Sequence, residues 1–563
     1  MIINELNSRI ADVVTKSYGD KLNLAAIRVT YTPEGQSGDI SCNAAFIISK
    51  QLGRNPRELA LELAGSVHKA IPGIAQIEVA GPGFLNITLS EELLGKYVLE
   101  ATSSRPTVFT KQTVVTEYSD PNPFKVLHVG HLYTSVVGDA ITNLVRMAGG
   151  SVHPVNFGGD VGLHVAKTMW AILQDLGGEL PEKLNAIPAA TRSEWMAKCY
   201  VAGTQAYEDD DTAKQSIIDI NKLVYGIVAS DERQKPFAQI YWTCRAWSYA
   251  YFDAFYARIG SKFERYYPES ETAPIGLATV KEQLAAGVYQ DSDGAVVFDG
   301  DKYGLHTRVF INSNGLPTYE AKDVGLIMAK WRDYKFDRSI VITGNDSTEY
   351  MKVVLKSIEQ FAPELARRTT HITHGNVKLA GSVKMASRKG NFLRAVDVLD
   401  LVAQANVDAG RASDDSVSLG AIKYAFLKQR IGADLVFIPE ESVSLEGNSG
   451  PYLQYAHARA RSILAKSVQP SDASFDAFEA GERVLAVKLS EYPDILDKAV
   501  IELMPHHVCT YLYELAQVFN RFYESNRVVG HEREALRLRL VTTYADILRD
   551  GLTILGIAAP DRL

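Results

Sequence analysis

Two short stretches of the sequence carry side chains that could handle phosphate groups. The first is SDPNPFKVLHVGHLYTSVVGD, residues 119–139, in which Lys125 is followed by His128, Gly130 and His131. The two histidines are three residues apart, so on a helix both rings fall on one face of the first turn. Gly130 has no Cβ, which allows a flat ring or a backbone to approach closely. A helix N-terminus with these side chains is suited to a phosphate chain.

The second stretch is VKLAGSVKMASRKGNF, residues 377–392, which contains the cations Lys378, Lys384, Arg388 and Lys389. A basic loop with glycines could close over a triphosphate and stabilise the charge of departing pyrophosphate. Taken alone, each stretch also has an ordinary interpretation. The loop could be a basic turn in solvent, and the histidines could cap or pack a helix start or form half of a metal site. No third ligand cluster at metal spacing, no Walker loop and no G-x-G-x-x-G accompanies them.

Strand-like and helical patterns alternate around the first stretch. Helices are predicted from about Val129 to Ala148 and from about Gly162. The strand-like runs are VVTEY (114–118), SVHPVNF (151–157), GLPTYEA (315–321) and SIVITG (339–344). This alternation is typical of a doubly wound, Rossmann-like parallel sheet, whose ligands lie beyond the carboxyl ends of the strands.

The same patterns predict three domains. Residues 1–100 mix helical periods with short alternating strands, as in a small α+β domain. Residues 101–395 form the α/β domain, with a mostly helical insertion at about 170–265. Strand signals stop after about Ala395, so residues 396–563 are predicted to form an α-helical bundle.

The composition narrows the class of protein. An apolar fraction of 46% is ordinary for a soluble protein, and a net charge of −8 argues against a surface coated for nucleic-acid binding. Local basic strips remain compatible with that charge. The four cysteines lie far apart without a C-x-x-C, which argues against a zinc knuckle or a disulfide framework. With no long apolar run and no signal-peptide pattern, we expect a cytoplasmic protein that does not insert into membranes.

Together the two stretches resemble the signature motifs of class I aminoacyl-tRNA synthetases, and their surroundings resemble arginyl-tRNA synthetase. The resemblance covers nearly the whole chain. Besides the two motifs, the similar segments are GDISCNAAFIISKQLGRNPRELA and VAGPGFLNITL of the N-terminal domain, NFGGDVGLH (156–164), GLPTYEAKDVGL (315–326) and GNSGPYLQYAHARARSIL (447–464). In the family, these N-terminal segments belong to a domain that contacts the tRNA elbow. The last segment begins the family's anticodon-binding bundle.

The resemblance implies that the chain activates L-arginine with ATP, releases pyrophosphate, and transfers the arginyl group to the 3′ end of tRNA(Arg), leaving AMP. It also implies that activation requires the tRNA. Mg²⁺ would arrive with ATP, no metal site or zinc on the protein is expected, and the chain is expected to be a monomer. The implied catalytic residues are His128, His131, Lys125 and Lys384. The implied ATP-binding residues are Gly130, His128, His131, Lys384, Met385 and Arg388.

Recognition of arginine requires buried acceptors that match its planar guanidinium. Tyr319 and Asp323 are four residues apart, so on a helix they share a face and can meet one guanidinium. The full predicted arginine site is Asn122, Asp120, Tyr319, Asp323 and His164, with Asp346 and Glu349 as weaker candidates. Unpaired bases are read by stacking and edge hydrogen bonds, and the predicted tRNA-binding residues are Tyr455, Arg459, Arg533 and Arg537.

Three positions depart from the family pattern. Asp120 stands where the family often has Ser, and His164 stands where it usually has Gln. Ser387 replaces the second lysine of the second motif, whose charge Arg388 and Lys389 can supply in part.

Two other functions compete with this prediction. A small nucleotidylyltransferase would explain the sheet but neither outer domain. An RNA-binding relative without catalysis predicts damage to the phosphate-handling residues, which are intact apart from Ser387.

Overall fold

The computed structural model describes residues 2–33, 35–379, 393–410, 415–466, 475 and 477–563. The Cα positions divide the chain into two compact units. Unit 1 combines Met1–Val108 with Ser444–Leu563, and unit 2 is Phe109–Val443. This division into two units does not test the three predicted domain boundaries, which remain predictions. Within the described residues, every helix is too short or too polar to cross a membrane.

The N-terminal part of unit 1 contains an antiparallel sheet of order β1-β2-β4-β3. Its elements are α1 (Ile2–Tyr18), β1 (Val29–Tyr31), β2 (Ile40–Cys42), α2 (Ala44–Leu52), α3 (Pro56–Ala70), β3 (Ile74–Ala80), β4 (Phe84–Leu89) and α4 (Glu91–Glu100). Asn55 caps α3 by accepting hydrogen bonds from the backbone of Arg57 and Glu58, and Ser90 caps α4 in the same way. The α+β prediction for this segment is confirmed.

Unit 2 is built on a five-stranded sheet in which every neighbouring pair is parallel. Its order is β12-β11-β5-β6-β7. The strands are β5 (Thr113–Glu117), β6 (Ser151–Gly158), β7 (Arg265–Pro268), β11 (Arg338–Gly344) and β12 (Thr369–His374). A second, antiparallel sheet consists of β8 (Gln290–Ser292), β9 (Ala295–Phe298) and β10 (Arg308–Ile311). The predicted doubly wound parallel sheet is therefore confirmed.

The helices of unit 2 cover the parallel sheet and form the insertion. Around the sheet lie α5 (Val129–Met147), α6 (Leu163–Leu176), α10 (Glu269–Ala285), α11 (Tyr319–Tyr334), α12 (Thr348–Glu359) and α13 (Pro363–Arg368). The predicted insertion is helical, with α7 (Arg192–Asp209), α8 (Asp211–Ala229) and α9 (Pro236–Ile259). Its apolar core includes Met169, Met196, Cys199, Tyr241 and Phe124. Phe124 thereby ties the first motif to the insertion.

Two local predictions were wrong. GLPTYEA is no strand, because Asn312 accepts backbone hydrogen bonds from Asn314 and Leu316 in a turn, and Tyr319 then begins α11. Strands also continue beyond Ala395. After α14 (Ala395–Asp408) and α15 (Asp415–Leu427), β14 (Leu435–Phe437) pairs in parallel with β13 (Val377–Leu379), and α16 (Pro439–Ser442) follows.

The C-terminal part of unit 1 is helical, as predicted. Its helices are α17 (Gly450–Leu464), α18 (Ala480–Ser490), α19 (Tyr492–Glu502), α20 (His506–Ser525) and α21 (Glu534–Ile554). They join the N-terminal part through polar contacts. Arg483 of α18 forms ion pairs with Asp39 at 2.6 Å and Glu91 at 2.9 Å. Both ends of the chain therefore build one compact unit.

Candidate active site

The first motif lies where the winding of the parallel sheet reverses. The chain moves from β5 to β6 and β7 on one side, and returns to β11 and β12 on the other. β5 and β11 are neighbours, and they end at Glu117 and Gly344. A doubly wound sheet opens a ligand crevice at such a point. Residues 119–139 begin there.

The backbone between β5 and α5 is tightly bent. Ser119, Asp120 and Phe124 have φ angles of 76°, 49° and 65°, in the left-handed region. Non-glycine residues there cost on the order of 1–3 kcal/mol each and persist only where surrounding structure holds them. Part of that support is the backbone N–H of Phe124, which donates to Ser248 Oγ at 2.9 Å.

Two predicted arginine-site residues also hold this bend. Asp120 Oδ1 accepts a hydrogen bond from the backbone N–H of Phe157 at 2.8 Å. Asn122 Oδ1 accepts one from Gly159 at 2.7 Å. The Oδ1 atoms of Asp120 and Asn122 are therefore hydrogen-bonded to β6 and to the turn after it.

Three polar side chains surround Gly159. A Cβ on it would lie 2.7 Å from Asn122 Oδ1, 3.0 Å from His164 Cε1 and 3.1 Å from Glu269 Cδ. The Nε2–H of His164 donates to Gly159 O at 2.7 Å. Burial, and then the charge of Lys125, lowers the pKa of His164 well below its usual range. The structure thus brings Asn122 and His164 together, with a neutral imidazole at the family's usual Gln position.

His128 and His131 form a close pair at the start of α5, with ring centroids 3.8 Å apart and ring planes tilted by 36°. His128 is the N-cap residue, and its Nδ1 accepts the N–H of Gly130 at 3.0 Å. His131 Nδ1 accepts the N–H of His128 at 3.1 Å. Because each Nδ1 is an acceptor, each neutral ring holds its proton on Nε2. The pair offers two N–H donors at a helix N-terminus.

The predicted close approach at Gly130 involves one of these rings. A Cβ there would lie 2.7 Å from His128 Cε1. A larger residue at this position would push the capping imidazole out of its place.

The electrostatics keep both imidazoles neutral. Burial, followed by the charge of Lys125, lowers the pKa of His128 to about 4. Burial, His128 and Lys125 together place the pKa of His131 well below its usual range. At neutral pH both rings act as hydrogen-bond donors without a net charge.

The segment that follows the second motif in the sequence lies beside the start of α5. Lys384, Met385, Ser387 and Arg388 lie outside the described residues. The segment that follows them is described: the N–H of Val129 donates to Leu393 O at 2.9 Å, and the N–H of Ala395 donates to Leu127 O at 2.9 Å. The chain leaving the second motif is therefore hydrogen-bonded to the first.

The predicted guanidinium site lies at the start of α11. Asp323 is 8% exposed, whereas Tyr319 is 60% exposed. The charged neighbour of the Tyr319 ring is Lys322, whose Nζ lies 5.1 Å from the ring centroid. Lys322 is itself buried and pairs with Glu269 at 2.5 Å. No hydrogen bond joins Tyr319 to Asp323 among the described side chains, so their joint role stays a prediction.

Below this point, buried charges connect three elements of unit 2. Lys330 of α11 is fully buried, forms an ion pair with Glu117 at the end of β5, and donates to Ser339 Oγ of β11 at 3.1 Å. Burial first, and Glu117 second, raises the pKa of both Asp120 and Asp323 well above the usual carboxyl range. The carboxyl groups of Asp120 and Asp323 therefore bind protons more readily than usual, and they lie near the buried ion pair of Lys330 and Glu117.

The weaker arginine candidates lie elsewhere. Glu349 is exposed and pairs with Lys352 at 2.6 Å, which makes it a surface residue of α12. Asp346 is exposed after β11, and its charge opposes the lowering of the His128 pKa. Asp346 is therefore within electrostatic range of His128.

Two of the predicted tRNA-binding residues are accessible on unit 1. Tyr455 is 46% exposed. Arg459 lies over the Tyr523 ring at 4.9 Å. An accessible aromatic ring and a nearby guanidinium suit base stacking.

The other two predicted tRNA-binding residues, Arg533 and Arg537, form ion pairs within unit 1. Arg537 is 3% exposed and pairs with Glu482 at 2.8 Å and with Glu479 at 2.7 Å. Arg533 Nε donates to Glu482 at 2.9 Å, and its Nη2 donates to Ala477 O at 2.5 Å. Both guanidinium groups hold the helices of unit 1 together.

Several residues of the site escaped the sequence reasoning. They are Glu117, Asp160, Glu269, Lys322 and Lys330. One signal was available: charged residues interrupt the apolar face of AKDVGLIMAKWRD, and Lys330 lies seven residues after Asp323 on the same side of a helix. Their partners come from distant segments, which no local pattern indicates.

Three family models match consecutive parts of the chain. They are the arginyl tRNA synthetase N terminal domain over residues 4–89, the tRNA synthetases class I (R) catalytic domain over residues 95–438, and the DALR anticodon binding domain over residues 453–563. The catalytic model alone spans more than half of the chain. These matches exclude a lone nucleotidylyltransferase, which has no need of the two outer domains.

Known proteins agree with these matches over the full length. An arginine–tRNA ligase of Porphyromonas gingivalis W83 is 28% identical and aligns over 100% of both chains. That of Bdellovibrio bacteriovorus is 29% identical over 94% of this chain and 93% of its own. The fold also resembles the arginyl-tRNA synthetase of Thermus thermophilus, with a TM-score of 0.81, 23% identity and complete coverage of both chains. The chain therefore belongs to the arginyl-tRNA synthetases, the class I enzymes that ligate arginine to tRNA.

Proposed function

We propose that this enzyme forms arginyl-adenylate in the crevice between β5 and β11, with His128 and His131 donating their Nε2–H groups to the phosphates of ATP. The observation that carries this assignment is the pair's geometry. Both Nδ1 atoms are occupied by backbone N–H groups, so both remaining protons are available to negative charge. Donors held in advance stabilise a transition state without reorganisation.

The reaction is an in-line attack by the arginine carboxylate on the α-phosphorus, which forms the mixed anhydride and releases pyrophosphate. Such a step needs positioned reactants and stabilised phosphate charge, rather than a covalent nucleophile. Lys125 and Lys384 supply cations for that charge, and Mg²⁺ accompanies ATP. Met385 and Arg388 bind ATP beside Lys384. The arginyl group then passes to the terminal ribose of tRNA(Arg).

On the arginine side, Asp323 and Tyr319 bind the guanidinium, while Asn122, Asp120 and His164 position the other end of the amino acid. Tyr455 and Arg459 contact the tRNA. We propose a cytoplasmic, monomeric enzyme.

The assignment is tested by pyrophosphate exchange measured in the presence of tRNA. His128→Ala and His131→Ala should each lower the turnover by roughly 10²–10³-fold, the usual scale for losing one preorganised donor. Arginine affinity should change little. His153→Ala is the matched control, because this histidine lies early in β6 and pairs with Glu264. Near-normal turnover in both active-site variants would refute the role of the pair.

The second motif has its own arm of the experiment. Lys384→Ala should slow exchange and leave tRNA affinity intact, and an Arg388→Ala, Lys389→Ala double variant shows how far those cations compensate. Loss of tRNA binding with exchange preserved in these variants would assign the loop to the RNA instead.

A further inference from the structure

A tyrosine of the helical insertion contacts the lysine of the first motif. The ammonium of Lys125 lies 4.6 Å from the ring centroid of Tyr200, which belongs to α7. Within the described part of the chain, Lys125 forms no ion pair with a carboxylate. The face of an aromatic ring attracts a cation, with the strongest effect where water is partly excluded. The Tyr200 ring therefore contacts this ammonium directly, while the nearby Glu269 carboxylate acts on it only through its electrostatic field.

The backbones on both sides of this contact are rigid. Phe124, next to Lys125, is buried in the same apolar core as Met196 and Cys199, which precede Tyr200 in α7. Four freely rotating methylene groups connect the fixed backbone of Lys125 to its ammonium group. Without a partner, the ammonium would sample many positions, so a ring on a rigid helix restricts it at low entropic cost.

The position of this charge affects both ends of the crevice. Lys125 contributes to the lowered pKa values of His128 and His131 on the phosphate side. It also contributes to that of His164 on the arginine side. The Lys125 ammonium is therefore within electrostatic range of residues on both the predicted phosphate side and the predicted arginine side of the crevice.

We propose that Tyr200 is a positioning residue for adenylate formation, whose ring holds the Lys125 ammonium over the point where carboxylate and phosphate react. The inference rests on the proposed role of Lys125. It gives the helical insertion a direct part in activation, through a side chain that need not touch arginine or ATP.

A double-mutant cycle tests the proposal in the full-length enzyme with tRNA present. Tyr200→Leu should lower the exchange kcat by roughly 2- to 30-fold, the range that a cation–π contact supports, with little change in the KM for arginine. Tyr200→Phe keeps the ring and should restore wild-type kcat. In a Lys125→Met background, Tyr200→Leu should have no further effect.

The matched control is Tyr207 on the same helix, whose ring lies 4.4 Å from the ammonium of Lys167. Tyr207→Leu removes a lysine–tyrosine contact of the same kind and should leave the exchange kcat unchanged. An equal loss in this variant would mean that α7 responds to any such change, and would overturn the proposal.

A series of isosteric rings remains informative even where Tyr200→Leu fails to fold. Phenylalanine and its mono-, di- and trifluorinated forms at position 200 keep the shape while withdrawing electron density from the ring face. The logarithm of kcat should fall steadily with each fluorine, because the attraction for the cation weakens.

The outcomes separate the two proposals. A flat series, or a Tyr200→Leu effect that persists with Lys125→Met, overturns the role of Tyr200 alone. Full activity of Lys125→Met overturns the role of Lys125, and the inference about Tyr200 falls with it.

Discussion

At the scale of single residues, the first motif depends on imidazoles that stay neutral. Their spacing and their place at a helix start were predictable from the sequence, since both follow from local pattern. Their tautomer was not predictable, because it depends on which backbone N–H groups the two Nδ1 atoms accept. Burial by surrounding elements then fixes their charge.

This neutrality predicts a pH dependence of stability. The pKa of His128 is about 4 in the folded protein, against about 6.5 when unfolded. The unfolded chain therefore binds the proton first as pH falls. The contribution to stability is complete above about pH 6.5 and is lost as pH falls towards 4.

His128→Asn retains a capping side chain without this titration, so the variant should lose roughly 1–3 kcal/mol less stability between pH 6.5 and 4. All five tryptophans belong to unit 2. Urea unfolding followed by tryptophan fluorescence therefore measures the correct unit. Parallel pH profiles for wild type and variant would contradict the neutral state.

A second residue-scale prediction concerns Asp323. Arginine binding to this buried carboxyl group requires its charged form, so Asp323→Ala leaves the guanidinium without a partner. Losing one member of a buried pair costs roughly 3–5 kcal/mol, or about 10²–10⁴-fold in kcat/KM for arginine. ATP affinity should be preserved.

Citrulline, which is neutral and nearly isosteric, provides the control ligand. Its affinity, measured in competition with arginine, should fall far less in the variant. If both ligands weaken equally, Asp323 supports only the fold and does not bind the guanidinium.

At the scale of elements, one carboxylate anchors the turn that carries His164. Asp160 is fully buried and pairs with Arg245 of α9 at 2.8 Å. It also accepts from the N–H and the Oγ of Ser270 at the start of α10, at 2.8 and 2.7 Å. The segment NFGGDVGLH was recognisable in the sequence. Its partners were not, because they lie 85 and 110 residues further along the chain.

Asp160→Ala should destabilise unit 2 by roughly 3–5 kcal/mol, since it leaves Arg245 without its partner and removes two hydrogen bonds. The measurement is again the tryptophan-monitored urea transition. Asp219→Ala is the control, because Asp219 is an exposed residue of α8 whose pairing with Lys222 spans 3.8 Å. Its removal should change the transition by about 0.5 kcal/mol or less. Similar shifts in the two variants would show that the anchor is unimportant.

Element types were predicted well where periodicity was long, as for α5 and the insertion. GLPTYEA failed because its six residues before Ala321 fit both an alternating strand and a turn followed by a helix. The turn is decided by hydrogen bonds to the side chain of Asn312, outside that window.

At the scale of the whole molecule, we predict that arginine activation requires tRNA. Binding of the RNA would complete the site, a form of induced fit in which a correct partner supplies the free energy of closure. Pyrophosphate exchange should be negligible with the protein alone and appear with tRNA(Arg). Periodate-oxidised tRNA(Arg), which cannot accept arginine, should support exchange equally well, because binding rather than charging is needed. Robust exchange without RNA would contradict this prediction.

The order of helical and strand-rich regions along the chain was predictable, but the composition of unit 1 was not. Its two halves meet through non-local pairs such as Arg483 with Asp39, and Tyr31 with Asp494 at 2.9 Å. Helical and strand periodicity describe each half separately. They do not indicate that the two halves pack together.

The shared construction of unit 1 has a consequence during synthesis. Residues up to Val108 leave the ribosome first, and the helices that complete their unit begin only after the 335 residues of unit 2. At ordinary elongation rates this interval lasts roughly 20–70 s. Throughout it, the nascent N-terminal segment exposes the surface destined for α18 and α19, including Asp39 and Tyr31. Nascent chains of this enzyme therefore expose, for that interval, a surface that the finished protein conceals.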